Sequence, residues 1–294
     1  MPSLAVIGHP VAHTRSPDMQ TAALAEMKLA GEWTYGAIDI EPESFEVEVA
    51  ELAAAGDYAG VNVTLPHKEA ALALADEASE AARAIGAANT LTFRDGQIAA
   101  ANTDAGGVLR SLPIGLFGIG AAGAAGGGDA PRRRALVLGA GGAARAAIWA
   151  LAHGGEGAPD AEGNPTRVPA FEVDVWNRTP ERAETVAGEL GGRAIADPVG
   201  ADYALIVNTT SVGLHGEDPF EHLPIAAADL HAGQVVFDIV YGPEPSALLA
   251  AAEAAGATTI EGLEMLVQQG ALSLRIWTGE EPSLEAMRTG ARRA

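Results

Sequence analysis

The sequence predicts an α/β protein of two domains, and three observations carry that expectation. Its 294 residues suffice for one large or two ordinary domains, each with a buried core. Short apolar strands alternate with segments of helical spacing, the pattern of a mostly parallel sheet. Further along, an apolar strand runs into Gly139-x-Gly141-x-x-Ala144 and then an Ala-rich helix, the order that a dinucleotide-binding half requires.

In order, Leu4 to Gly8 is a short apolar run ended by Gly and Pro, which predicts a buried strand. A helix follows over Pro17 to Ala30, a strand over Trp33 to Asp39, a helix over Phe45 to Ala55 and a strand over Tyr58 to Val63. Ala70 to Ile85 reads as one helix. Thr90 to Phe93 and Gln97 to Ala101 flank Asp95-Gly96, a favoured pair for a tight hairpin turn. Thr103 to Leu112 is helical in spacing, and Gly115 to Ala130 is a Gly and Ala tract with too little side-chain bulk for a core, hence an expected flexible loop. A strand over Arg134 to Leu138, a helix over Ala143 to Ala152, a polar Gly- and Pro-rich stretch over His153 to Pro169 and a strand over Phe171 to Trp176 come next. A helix over Glu181 to Leu190 and strands over Tyr203 to Asn208 and Val235 to Ile239 complete the second half. Two or three helices remain after Pro243, the longest over Leu263 to Trp277.

Composition narrows the function. An apolar fraction of 48% with 19% charged residues describes a folded chain. Thirty-nine acidic residues against 18 basic ones leave a formal net charge of -21, which repels nucleic-acid phosphates and anionic membranes as partners. The acidic residues are scattered over helical segments, consistent with adaptation of the whole surface to high salt, though an ordinary acidic protein has the same composition. No cysteine is present, so disulfides, thiolate catalysis and cysteine-built zinc sites are excluded, and no His or carboxylate spacing suggests a metal. With no apolar run long enough for a membrane span and no leader-like start, the expected location is the cytoplasm.

The glycine turn carries the cofactor reading. Gly139, Ala140, Gly141, Gly142 and Ala143 would let a pyrophosphate approach the backbone and the helix start. The tip of the following strand decides between NAD and NADP: an acidic residue there would bind the ribose hydroxyls, and an Arg the extra phosphate. Here the tip reads Asn177-Arg178-Thr179 with Arg182 one turn on, while Asp174 lies inside the strand. From 139 to 177 is 38 positions, against the ~20 expected. The stretch 153–169 accounts for the excess, so the expected cofactor is NADP. The plainer reading is an exposed Arg-rich helix start, which would oppose the helix dipole unless an anion is bound.

Lys68 is one of only two lysines, in a chain that otherwise uses Arg. An ammonium retained against that bias suits proton transfer, because a guanidinium does not give up its proton near neutral pH. A solvated helix start is the alternative.

A series of motifs in fixed order supports the first reading: Gly8 to Pro17, Asn62 to Lys68, Gly86 to Thr90, Asn102-Thr103-Asp104, Gly139 to Ala146, Asn177-Arg178-Thr179 and Glu261 to Gln269. Together they resemble the shikimate dehydrogenase family, over nearly the whole chain. The resemblance implies an N-terminal substrate-binding domain and a Rossmann-type NADP-binding domain, with the C-terminal helices returning to the first. The expected bounds are 1–102 with 243–294, and 103–242.

It also implies reversible reduction of 3-dehydroshikimate to shikimate in aromatic amino-acid biosynthesis. Lys68 and Asp104 would be the catalytic pair, with Lys68 giving the proton to the alkoxide at C3 and Asp104 orienting substrate and ammonium. Thr14 and Ser16 match hydroxyl positions for the substrate carboxylate, with Thr14 standing where most members have Ser. Thr64, Asn89 and Gln269 match ligands of the ring hydroxyls, Tyr241 a position near the ring, and Thr210, in Asn208 to Gly213, a position on the nicotinamide side of the cofactor. Glu264 stands where the family commonly has Gly. His13 and His67 flank the site and read as packing groups or groups behind it. Alternatives are a quinate or dual quinate and shikimate dehydrogenase, which Thr14 would bear on, and a non-catalytic NADP-binding sensor. A monomer or homodimer is expected.

Overall fold

The structure is a computed structural model and describes residues 3–116, 120–121, 133–161, 163–242 and 244–293. From the N-terminus the elements are β1 (Ser3–Gly8), α1 (Ser16–Glu26), β2 (Thr34–Asp39), α2 (Phe45–Ala55), β3 (Tyr58–Val63), α3 (Lys68–Leu74), β4 (Glu77–Ala78), α4 (Glu80–Ile85), β5 (Thr90–Arg94), β6 (Gln97–Ala101) and α5 (Asp104–Ser111). There follow β7 (Gly120–Ala121), β8 (Arg134–Leu138), α6 (Gly142–His153), β9 (Gly155–Glu156), β10 (Thr166–Val168), β11 (Glu172–Trp176), α7 (Pro180–Leu190), β12 (Arg193–Ala194), β13 (Leu205–Asn208), α8 (Pro219–His222), β14 (Val235–Asp238), α9 (Ala247–Ala254), β15 (Thr258–Glu261), α10 (Gly262–Thr278) and α11 (Leu284–Arg293). They form two compact units, residues 1–107 with 266–294 and residues 108–265. No helix among the described residues is long and apolar enough to cross a membrane.

The first unit is built on a six-stranded sheet of order β2-β1-β3-β5-β6-β4. β1, β2 and β3 run parallel, and β5 and β6 form the expected hairpin, with Asp95 at φ 52° and Gly96 at φ 76° in its turn. Strand alternation divides the faces. Ile7, Val61, Val63 and Leu91 join Phe45 and Val49 of α2 in one core. On the other face Asn62 meets Ser273 of α10, and Trp277 of α10 donates to the Leu91 carbonyl at 3.1 Å. Gly60 permits that approach, since a Cβ there would collide with the Trp277 ring. α11 packs on α1 across Gly290, where a Cβ would sit 2.8 Å from that of Ala22.

The second unit carries six parallel strands in the order β12-β11-β8-β13-β14-β15. Numbered within this sheet that is 3-2-1-4-5-6, the doubly wound dinucleotide-binding order. Leu136, Leu138, Ile206 and Val236 form its core with Leu248 and Leu249 of α9.

Several expectations need correction. The single helix over 70–85 is interrupted: Asp76 bonds β6 through its amide to the Ile98 carbonyl and through its carboxylate to the Ile98 amide, Glu77 and Ala78 pair with Ala99 and Ala100, and Ser79 caps a new helix. α1 ends at Glu26, before Lys28 at φ 62°. The stretch 153–169 contains β9 and β10, which form a small antiparallel sheet with β7. Of the expected loop at 115–130, residues 120–121 are thus a strand, and 117–119 and 122–130 lie outside the described residues. The chain returns to the first unit at Leu266, not at Pro243. β15 pairs with β14 and α9 packs beneath both, so this segment completes the second sheet.

Candidate active site

The sheet of the first unit gathers distant motifs at one edge. β3 and β6 leave where β5 enters, with Asn62 paired to Thr90 and Thr90 to Ala101, so residues 64–68, 89 and 102–104 meet at the carboxyl end of β3. Asn102 donates to the Ala87 carbonyl at 2.9 Å and accepts the Ala105 amide at 3.2 Å, which fixes the start of α5 at Asp104.

There Lys68 Nζ donates to Asp104 Oδ2 at 2.6 Å, with side chains 13% and 5% exposed. Asn89 Nδ2 lies 2.9 Å from Asp104 Oδ1, 2.9 Å from Thr103 Oγ1 and 3.1 Å from Gln269 Oε1. Two amide protons face three acceptors, and the Gln269 amide is itself turned to the Leu266 carbonyl at 2.8 Å. Gln269 Oε1 therefore has room for a further donor. Gly106 and Gly107 allow α5 to approach α10 at this point: a Cβ on Gly107 would lie 2.8 Å from that of Gln269, and one on Gly106 2.6 Å from Leu272. An ammonium, a carboxylate and two amides so arranged can bind adjacent hydroxyls and move a proton.

Beneath them is a layer that the motif reading missed. Ser273 is fully buried and takes the Asn62 amide at 2.9 Å, with Thr90 Oγ1 at 2.8 Å and Thr103 Oγ1 at 3.0 Å. Tyr35 closes the layer by donating to Asn62 Oδ1 at 2.7 Å, and burial pushes its phenol well above the ordinary value. One signal for Ser273 was present, because it lies four residues after Gln269 and shares its helix face.

Thr14 is half-buried and Ser16 buried, and they bond to one another, Thr14 Oγ1 donating to Ser16 Oγ at 3.2 Å and accepting the Ser16 amide at 3.3 Å. Thr64 is half-buried beside Gly8, where a Cβ would run into its methyl group. His67 is buried, stacked on Phe45 at 4.4 Å, with Nε2 2.7 Å from the Ile40 carbonyl. His13 is exposed.

In the second unit β8 turns through Gly139 at φ 120°, and a Cβ there would meet Thr209 Oγ1 at 2.6 Å. Ala140 follows, and Gly141 caps α6 with no side chain, so the amides around Gly142 and Ala143 are left for an external acceptor. A Cβ on Gly141 would meet nothing within 4 Å. At the tip of β11, Asn177 Nδ2 donates to the Thr179 carbonyl at 2.9 Å, and Thr179 caps α7 without using its hydroxyl. Arg178 and Arg182 are exposed and form no ion pair among the described residues. Asn177, Arg178 and Thr210 line a cleft of about 330 Å³ with Trp176, Ser211 and Glu217. Open backbone at a helix start and, at the cleft, an exposed Arg178 guanidinium with no carboxylate partner among the described residues fit a phosphorylated dinucleotide.

Asp174 has a different role. It accepts hydrogen bonds from Arg134 (2.7 Å), Arg193 (2.9 Å) and Tyr203 (2.8 Å) inside the sheet. Burial pushes its carboxyl up, but these donors outweigh burial and hold it below the ordinary range. Tyr241 follows β14 and is half-buried, and Glu264 is half-buried in the first turn of α10, where the helix dipole favours a carboxylate.

Residues 6–91 match the family model of the shikimate dehydrogenase substrate binding domain, and 262–289 that of the shikimate 5'-dehydrogenase C-terminal domain. The shikimate dehydrogenase (NADP(+)) of Thermus thermophilus is 42% identical over 290 residues, covering 99% of this chain and 97% of the relative. The chain belongs to the shikimate dehydrogenase family. The Methanothermobacter thermautotrophicus member is 36% identical, covering 98% of this chain and 95% of its own. A crystal structure of shikimate 5-dehydrogenase from Thermus thermophilus in complex with NADP(H) and shikimate superimposes with a TM-score of 0.80 at 40% identity, covering 100% of this chain and 99% of that one. Within this shikimate dehydrogenase fold, Lys68, Asn89, Asp104 and Gln269 are directly hydrogen-bonded in the first unit. The expected cofactor residues and Tyr241 belong to the second.

Proposed function

We propose that the protein is an NADP-dependent shikimate dehydrogenase, interconverting 3-dehydroshikimate and shikimate for aromatic amino-acid biosynthesis. It works on small molecules in the cytoplasm, as a monomer or homodimer. The observation that carries the reading is the Lys68–Asp104–Asn89–Gln269 cluster, in a chain that aligns with NADP(+) shikimate dehydrogenases over nearly its full length.

Reduction of a ketone to an alcohol needs a hydride at carbon and a proton at oxygen. NADPH, when bound, supplies the hydride. Gly139, Ala140, Gly141, Gly142 and Ala143 would hold its pyrophosphate, and Asn177, Arg178, Thr179 and Arg182 its 2'-phosphate. Thr210 would lie on the nicotinamide side. Lys68 Nζ gives its proton to the oxygen developing at C3 and takes it back in the reverse direction. Asp104, 3% exposed and bonded to both Lys68 and Asn89, holds the ammonium in place and accepts from a ring hydroxyl. Gln269 Oε1, Asn89 and Thr64 bind the remaining hydroxyls, and Tyr241 adds a contact near the ring. Thr14 and Ser16 donate to the ring carboxylate, and the extra methyl group of Thr14 narrows that subsite.

The test is the initial rate of nicotinamide reduction with shikimate and NADP in molar potassium chloride, with quinate and NAD as parallel substitutions. Turnover confined to, or far faster with, shikimate and NADP is expected. Preference for quinate would overturn the Thr14 reading, and preference for NAD the Arg178 reading. NADP binding without turnover would favour a sensor.

A further inference from the structure

We infer that Asp238 is a positioning residue that, through Asn208, shapes the turn 208–213 and thereby sets affinity for the dinucleotide. The inference rests on the proposed function in one respect, that Thr210 faces the bound cofactor. Asp238 and Asn208 are the last residues of β14 and β13, paired across adjacent parallel strands, and both are fully buried. At such a pair the side chains share one face of the sheet and meet. Asp238 Oδ1 accepts the Asn208 amide at 2.9 Å and the Val240 backbone amide at 3.1 Å. Oδ2 accepts Ser246 Oγ at 2.5 Å, and Ser246 in turn caps α9 by accepting the Leu249 amide at 3.3 Å.

With its amide held in this way, Asn208 presents Oδ1 to the turn, where it accepts the Thr210 amide at 3.1 Å and the Thr210 hydroxyl at 2.7 Å. Thr210 Oγ1 accepts the Val212 amide at 3.1 Å, and Asn208 Nδ2 also reaches the Val212 carbonyl at 3.3 Å. The turn is thus folded on side chains more than on its own backbone. Thr210, Ser211 and Val212 then line the same cleft as Asn177 and Arg178. Thr209, between Asn208 and Thr210, backs onto Gly139. The Asp238 carboxylate is fully buried, so it reaches the cleft through Asn208 and not directly, and burial pushes its pKa up against the donors that surround it.

Its service is that of a fixed acceptor, so an amide of the same shape should replace it. In Asp238→Asn the oxygen can keep Asn208 and Val240, and the new amide can donate to Ser246 Oγ. Asp238→Ala leaves Asn208 free to rotate, and Asn208→Ala removes the clasp while Asp238 keeps Ser246 and Val240. The experiment is fluorescence titration of the full chain with NADPH, together with thermal unfolding and steady-state constants. Asp238→Ala and Asn208→Ala should each weaken NADPH binding about tenfold or more, as expected for loss of buried hydrogen bonds, with Asp238→Asn within about threefold of the parent. The KM for shikimate should move less than the NADPH affinity. Should Asp238→Ala fail to fold, Asn208→Ala carries the same expectation. Parent-like NADPH affinity in a folded Asn208→Ala, or Asp238→Asn binding as poorly as Asp238→Ala, would overturn the inference. A parent protein that binds no NADPH would instead remove the proposed function on which it rests.

Discussion

Replacing Lys68 by Met keeps the length of the aliphatic stem and deletes the ammonium that sits 2.6 Å from Asp104. A positioned acid or base typically contributes about 10²- to 10⁴-fold in rate. At 1.36 kcal/mol per decade this corresponds to about 2.7 to 5.4 kcal/mol of barrier. Binding should suffer less, because the other proposed ligands Asn89, Asp104, Gln269 and Thr64 remain and the ammonium is already engaged with Asp104, so KM for shikimate should rise by about tenfold at most. The variant also strips a carboxylate that is 5% exposed of its ionic partner, leaving it the Asn89 amide at 2.9 Å. Thermal unfolding must therefore accompany the kinetics, since an unpaired buried charge is destabilising. Asp104→Asn supplies a second arm: whichever way its amide faces, one NH2 group points at the Lys68 ammonium or at the Asn89 amide. Initial rates at saturating cofactor in both directions decide the matter. A kcat within about tenfold of the parent, or a KM that rises as much as kcat falls, would refute the assignment of Lys68 as proton donor.

If Arg178 holds the 2'-phosphate as proposed, Arg178→Ala should raise KM for NADP by about tenfold, the effect of losing an exposed charged hydrogen bond, and leave KM for NAD nearly unchanged. Equal effects on both cofactors would show that Arg178 does not read the 2'-phosphate. Asp174 lies below its ordinary pKa in the fold, so its contribution to stability is present above about pH 4 and is lost as pH falls through the lowered folded value. Asp174→Asn should flatten that acid limb in unfolding scans, and an unaltered limb would assign the acid loss to other carboxylates. With a net charge of -21, the midpoint of thermal unfolding should climb as potassium chloride rises to molar concentration; a flat response would leave the acidic surface without a stabilising link to salt.

Much of the fold, and the grouping of four candidate site residues, is legible in the sequence because local signals agree with tertiary demands. Phe45–Ala55, Tyr58–Val63 and Arg134–Leu138 have the bounds expected from apolar periodicity, and Asp95-Gly96 makes its turn. Lys68, Asn89, Asp104 and Gln269 were singled out together only because their motifs follow a family order; each alone suits a turn or a solvated face. What escaped depended on partners far along the chain. The Ala- and Leu-rich segment 70–85 has the propensity of one helix, yet pairing with Ala99 and Ala100 breaks it. β15 is four residues long and acquires its identity from β14, so nothing local in the segment marks it as part of the second unit. Ser273 and Asp238 occupy an ordinary helix and an ordinary strand end, and only burial against Asn62 and Asn208 gives them roles.

The most direct test is a crystal structure of the protein with NADP and shikimate bound. The C3 hydroxyl should lie within hydrogen-bond reach, about 2.6 to 3.2 Å, of Lys68 Nζ, with an adjacent hydroxyl on Asp104 and Gln269. The 2'-phosphate should lie on Arg178. A bound shikimate whose C3 oxygen has no contact with Lys68 would contradict the role of Lys68 as proton donor.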